Sequence, residues 1–249
     1  MKKTILIHHH IFKNAGTSFN FALKKSFGNQ FFEFDLPNSS VVTEEHLKEF
    51  ISAHPQALAI SSHHAAMPTP QTEFYNTISS VILRKPLARI KSIYQFERKQ
   101  QAQTEGAIKA KELNFKEFVL WRLETSPIVF CNYQTHYCSR SGNMRGKRKL
   151  TEEELKIAMN NLRNCCVVGT VERYDESLKL AENKLREFYP DIKLNYSTLN
   201  TTSQVGRTYA DIKAELMEDL GQELVTKIEQ MNQLDEQLYE FGDRLIDYN

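Results

Sequence analysis

The sequence predicts an α/β fold in three layers, with a central, mainly parallel sheet flanked by helices. Three observations lead there. Short apolar runs at 4–10, 57–61, 79–83 and 165–168 have the length and polar ends of strands buried on both faces. Segments whose apolar residues recur at helical spacing separate them. Strands that alternate with helices pair in parallel through crossover connections.

Taken in order, 4–10 is the first buried strand. Along it His8 and His10 share a face and His9 points the other way. Helical patterns follow at 18–27, 44–53, 87–101 and 115–122, the third beginning beside Pro86. Thr151-Glu-Glu-Glu154 is a capping box that opens a helix to about residue 161. The helix at 174–188 stops before Pro190, and 222–246 is a helix or a helix pair. Two polar segments, 100–112 and 139–150, are candidate lids on a single domain spanning 1–249. The second is a basic loop with Arg140, Arg145, Lys147, Arg148 and Lys149, either solvated or in contact with an anionic substrate.

A chain of 249 residues is long enough for one sizeable core. Its net charge of +1 argues against broad nucleic-acid binding. No apolar run spans a bilayer. The stretch after Lys2 and Lys3 is too short for a signal peptide, so a cytoplasmic setting is expected. Cys131, Cys138, Cys165 and Cys166 lack zinc or CxxC spacing and read as reduced thiols, the adjacent pair pointing to opposite faces. His8 and His10 lack a third ligand at convincing spacing, and no metal is expected.

The first strand runs into His10-Ile-Phe-Lys-Asn-Ala-Gly-Thr-Ser18, and a helix follows at once. Strand, short loop and helix N-terminus form an anion site, because backbone N–H groups and the positive dipole end converge there. Gly16 lets the backbone approach, Lys13 adds charge, and Thr17 and Ser18 offer hydroxyls. The order is not that of a Walker A loop, whose lysine follows the second glycine. A plain strand–helix turn with a capping hydroxyl is the alternative. Ligands of such sheets lie beyond the carboxyl ends of the strands. That brings His10, 61–64 and 83–85 into one candidate site. In Val81-Ile-Leu-Arg-Lys-Pro-Leu-Ala-Arg-Ile-Lys-Ser-Ile-Tyr94, Arg84 has the planar fork that grips a phosphate, and Ser92 adds a hydroxyl one or two helical turns later.

Together these stretches resemble the sulfotransferase superfamily, in particular its carbohydrate branch of the heparan and chondroitin type (sulfotransferase family 2), in a soluble, bacterial-type version. The first loop is similar to that branch's His-Ile-Pro-Lys-Thr-Ala-Gly-Thr-Ser. The second is similar to its Leu-Arg-Asp-Pro-x-x-Arg-x-x-Ser-x-Tyr. Weaker likenesses lie in Asn132-Tyr-Gln-Thr135, Val168-Gly-Thr-Val-Glu-Arg-Tyr-Asp-Glu-Ser-Leu178 and Leu234-Asp-Glu-Gln-Leu-Tyr239. Phe12, Asn14 and Lys85 depart from the pattern, replacing proline, threonine and aspartate. Phe12 makes the loop entry less rigid, and Lys85 adds charge near the second phosphate.

The resemblance implies a P-loop-like three-layer fold and a donor, 3′-phosphoadenosine-5′-phosphosulfate (PAPS), that leaves as 3′-phosphoadenosine-5′-phosphate (PAP) without need of a metal. It implies that Lys13, Asn14, Ala15, Gly16, Thr17 and Ser18 hold the 5′-phosphosulfate, and that Arg84 and Ser92 hold the 3′-phosphate. Arg207, in a late polar loop, is a candidate second clamp. The acceptor is a hydroxyl on a carbohydrate or small molecule. A histidine past the second predicted strand serves as base in some members, which points to His63, with His64 beside it. Histidine suits that task near neutral pH. His10, Arg98 and His136 are candidate substrate contacts. Two other readings stay open: a phosphotransferase on a variant phosphate loop, which requires a magnesium-binding acid near a strand end, and a nucleotide- or glycan-binding protein without catalysis.

Overall fold

A computed structural model describes residues 2–37, 39, 41–140, 150–194 and 208–247. The first strand, β1 (Lys3–His9), leads through the loop into α1 (Gly16–Phe27). Next come β2 (Phe31–Glu33), α2 (Glu44–Ala53), β3 (Ala59–Ser62) and β4 (Tyr75–Leu83). Among the described residues the sheet has five strands, all parallel, in the order β2-β3-β1-β4-β5, with β5 at Val167–Thr170.

β1 is central because its neighbours cover both edges and helices cover both faces. Its register sets His9 beside Ser62 of β3 and Val81 of β4. From Ile5 to His10 every side chain is buried. The chain turns left from β1 toward β2 and later crosses right to β4. The loop after β1 therefore emerges at the switch point, where an α/β sheet opens a crevice.

Helices α3 (Pro86–Lys99), α4 (Glu105–Glu112), α5 (Phe115–Thr125), α6 (Tyr133–Ser139) and α7 (Glu152–Arg163) lie between β4 and β5. They are followed after β5 by α8 (Tyr174–Leu185), α9 (Tyr209–Leu220), α10 (Gln222–Met231) and α11 (Gln233–Asp247). Phe19 and Leu23 of α1 and Leu178 and Leu185 of α8 cover one face of the sheet with Leu6 and Ile82. Elements α2, α6, α7 and α11 cover the other. A further core joins α3, α5, α9 and α10 around Phe118 and Ile228, against Phe12 of the loop.

The predicted fold is therefore the observed one, with shifts of a few residues at element ends. Short β2 and helices α4, α6 and α9 were not anticipated. The 100–112 segment, expected as a polar lid, contains α4 packed on α3. Small Gly106, Ala107 and Ala110 are buried there and permit the close approach. Residues 141–149 of the second lid segment lie outside the described residues. Cys165 and Cys166 do pack into cores on opposite faces. All four cysteines are free, and burial pushes every thiol up, Cys131 to about 11. Among the described residues no helix is long and apolar enough to cross a membrane.

Candidate functional site

The loop leaving β1 is held in an uncommon backbone shape. Lys13 has φ 66° and Ala15 φ 58°, both in the left-handed region that costs a non-glycine residue about 1–3 kcal/mol. Buried groups impose it. Arg84 donates from Nη1 to Lys13 O at 2.9 Å, and Arg89 from Nε to Phe12 O at 3.0 Å. Asn14 donates from Nδ2 to Ile82 O (3.0 Å) and to Gln134 Oε1 (2.7 Å). Phe12 also meets Phe96 edge-on at 5.5 Å. Tertiary contacts thus supply the rigidity that a proline would have given locally.

The consequence is a concave row of donors. Helix α1 starts without a side-chain cap. The N–H groups of Ser18 and Phe19 return to Ala15 O, leaving those of Gly16 and Thr17 without an acceptor among the described residues. Alternating backbone handedness followed by a helix N-terminus is a nest for an anion. Lys13 stands beside it, its amine 4.3 Å from the centre of the Phe96 ring. Burial first, and then the Arg84 charge, bring its pKa down to about 8. Asn14, expected among the anion ligands, instead turns inward. Its side chain is 1% exposed and both its donors, the amide included, serve the protein.

Arg84 is 7% exposed and its Nε has no hydrogen-bond partner among the described residues. Gln134 of α6 grips its backbone from both sides, accepting from Arg84 N and donating to Arg84 O. Gln134 is placed in turn by Asp235, which accepts from Gln134 N and Thr135 N at 3.0 and 2.7 Å. Asn132 Oδ1 receives the N–H groups of Leu234 and Asp235 in exchange. The two weak likenesses at 132–135 and 234–239 are thus one lock behind the loop. Ser92 is half-buried in the second turn of α3, and its hydroxyl has no hydrogen-bond partner among the described residues. Lys85, expected to add charge near a phosphate, is paired with Glu236 at 3.1 Å and lies over the rings of Tyr239 and Tyr209.

A histidine stack closes the other side. A Cβ on Gly16 would fall 1.9 Å from His10 Cδ2, so the His10 ring lies directly on the glycine. The His63 ring stacks on His10 at 3.9 Å, and His63 Nδ1 meets His10 O at 2.9 Å. A carbonyl only accepts, so Nδ1 donates to it, and in the neutral ring Nε2 holds the lone pair. Burial, then His63 and Lys13, hold His10 down to about 3, hence neutral. His64 turns instead toward Asp35, with Nδ1 3.6 Å from the carboxylate, and burial lowers its pKa.

Asp35 was missed by sequence reasoning, although its alternating Phe-Phe-Glu-Phe-Asp context marks a short strand end. It accepts from Ser62 Oγ, His63 N and His64 N and so shapes the histidine turn. Glu172, also missed, accepts from Lys85 N and faces Arg84, which partly offsets the upward push of burial on its pKa. Asp35 and Glu172 lie near strand ends, where a phosphotransferase would need acids for magnesium, and both are committed to backbone N–H groups; Glu33, the last residue of β2, is held instead by the Asn20 side chain. Among the described residues no cluster of three or more metal-ligating side chains occurs.

Other expected contacts are dispersed. Arg98 donates to Tyr94 Oη at 2.7 Å, in the last turn of α3. His136 lies on α6 near Arg140, whose Nη2 donates to His63 O at 3.0 Å. Arg207 lies outside the described residues. A cavity of about 380 Å³ opens between α1 and the ends of β2 and β3, bordered by His10, Thr17 and His63.

An uncharacterized protein of Archaeoglobus fulgidus is 27% identical to this one over 246 residues, covering 96% of each chain. A model described as "Sulfotransferase family" matches residues 2–242, which include the donor nest, Arg84, Ser92, the histidine turn and the lock behind them. Since that match runs through nearly the whole chain and every element that builds the site, the protein belongs to the sulfotransferase family.

Proposed function

We propose that this protein is a PAPS-dependent sulfotransferase that sulfates a hydroxyl of a carbohydrate or other small acceptor and releases PAP. The observation that carries the reading is the nest of free N–H groups at Gly16 and Thr17, with Lys13 and Arg84 beside it and His63 across the stack. The donors fit two phosphates: Arg84 keeps an unpaired Nε, Ser92 an unpaired hydroxyl, and the helix end an unpaired pair of N–H groups. Four unpaired thiols with raised pKa values favour a reducing, cytoplasmic setting.

When bound, PAPS supplies the sulfuryl group. Lys13 and the N–H groups of Gly16 and Thr17 neutralise charge on the leaving phosphate oxygen, fixed dipoles being effective in a partly dry site. Arg84 and Ser92 orient the nucleotide through its second phosphate. His63 Nε2 takes the acceptor's proton, because Nδ1 is committed to His10 O. His10 positions His63 and stays neutral.

The test is calorimetry of PAP binding without magnesium, for wild type, Ser92→Ala and Arg84→Ala. A hydrogen bond to a charged group contributes about 1.5–3 kcal/mol, so Arg84→Ala should weaken binding at least about tenfold. Ser92→Ala, at a half-buried hydroxyl without a hydrogen-bond partner among the described residues, keeps the fold and should also weaken it at least about tenfold. A wild type that is folded by circular dichroism and binds no PAP refutes the proposal.

A further inference from the structure

The cavity beside α1 has features that the donor chemistry does not use. Phe21 of α1 stands 40% exposed on its wall. Next to it, Asn20 and Ser61 are 7% and 2% exposed, yet Asn20 Oδ1 and Ser61 Oγ have no hydrogen-bond partner among the described residues. An orphaned polar atom in a buried residue costs free energy unless a ligand or water completes it. Both residues line the cavity, their orphaned oxygens covered just behind a polar wall. Glu33 completes it, its carboxylate held by Asn20 Nδ2 at 3.2 Å.

The chemistry of that wall is specific. An exposed aromatic face beside planar amide and carboxylate groups matches a sugar ring, which has an apolar face and hydroxyls along its edge. The charge is also informative. Glu33 and Asp35 line the cavity against one ammonium, Lys24. Asp35 is spent on the histidine turn, but its charge remains. A carboxylate or sulfate on an entering ligand would face net negative charge at short separations across a cavity of about 380 Å³.

We infer that this cavity is the acceptor subsite and takes a saccharide unit without acidic groups, neutral or amino, stacked on Phe21 and hydrogen-bonded by Asn20, Glu33 and Ser61. The assignment rests on the sulfotransferase reading only in placing the acceptor hydroxyl at His63, which lines the same cavity. It sets this chain apart from enzymes that act on uronate-rich glycans, for which a basic wall would be needed.

Ligand-observed NMR and calorimetry on the full chain, with and without saturating PAP, test it. The probes are methyl glucoside, the methyl glycoside of glucosamine, and methyl glucuronide. The neutral and amino glycosides should bind at least tenfold more tightly than the glucuronide. Glu33→Gln should narrow that gap, and Phe21→Ala should weaken the favoured glycosides at least fivefold with the PAP affinity unchanged. Phe21 is exposed and Glu33 lies at the surface, so both variants should fold. Glucuronide binding equal to or tighter than glucoside binding overturns the inference, as does PAP binding with none of the three glycosides bound. Glycoside binding without PAP binding supports the saccharide site and overturns the donor assignment instead.

Discussion

Replacing Gly16 by alanine sets two effects of opposite sign against each other. The φ of Gly16 is not in the left-handed region, and the residue opens α1, so alanine is conformationally acceptable. By itself the change should stabilise the protein by about 0.4–1 kcal/mol through the unfolded chain. The added Cβ, however, would sit 1.9 Å from His10 Cδ2, where 3.4 Å or more is ordinary contact. The ring must retreat by about 1.5 Å, the difference of those distances. It has little room, since His63 is stacked on it at 3.9 Å and Asn20 Nδ2 contacts its Nδ1 at 3.3 Å. Overpacking of this kind costs about 1–3 kcal/mol. Loss of the Asn20 contact adds about 0.5–1.5 kcal/mol. The net expectation is a destabilisation of about 0.5–4 kcal/mol, or about 1–16 °C in Tm at this chain length. Differential scanning calorimetry of Gly16→Ala, His10→Ala and the double variant measures it. With the His10 ring removed, the sign of Gly16→Ala should reverse, giving a coupling of about 1.5 kcal/mol or more. A Gly16→Ala protein that melts above wild type, or effects that simply add, would refute the stacked arrangement of Gly16, His10 and His63.

Three further outcomes are expected. Lys13 titrates at about 8 in the free protein, and a bound phosphate raises that value, so PAP binding should take up a proton above about pH 8 and weaken as pH rises further; buffers of different ionisation enthalpy reveal the uptake, and Lys13→Met should abolish it. His9 and His10 are buried neutral with pKa near 3, against about 6.5 when unfolded; below that unfolded value the unfolded chain binds more protons, so Tm should fall as pH drops from about 6.5 toward 3, and a Tm flat across that window would contradict their burial as neutral rings. Asp235→Ala leaves the N–H groups of Gln134 and Thr135 without their buried acceptor, at about 1–3 kcal/mol each, so the urea midpoint should drop clearly and PAP affinity with it, because Gln134 holds both Arg84 and Asn14.

Much of the architecture was legible in the chain because its signals are local. The run at β1 is apolar on both faces, Thr151 and Glu154 form their capping box as expected, and Pro86 opens α3. The loop that follows β1 was legible for the same reason: glycine, lysine and hydroxyls lie next to one another before a helix. What escaped was weakly patterned or bridged distant parts of the chain. Strand β2 has three residues and exists because β3 offers it an edge. Helix α6 has seven, and its first turn is secured by Asp235, about a hundred positions away.

The α/β class, the central strand and the loop residues gathered after it can be read from the chain alone, since each depends on residues close in sequence. What those residues do was set by the folded packing. Lys85 pairs with Glu236 on α11, and Asn14 is turned inward to brace the loop. Asp35 joins the histidine turn from another strand, and His10 presses on Gly16. The physical reason is that a side chain's role follows from its burial and partners, and here those partners come from elements dozens of residues away.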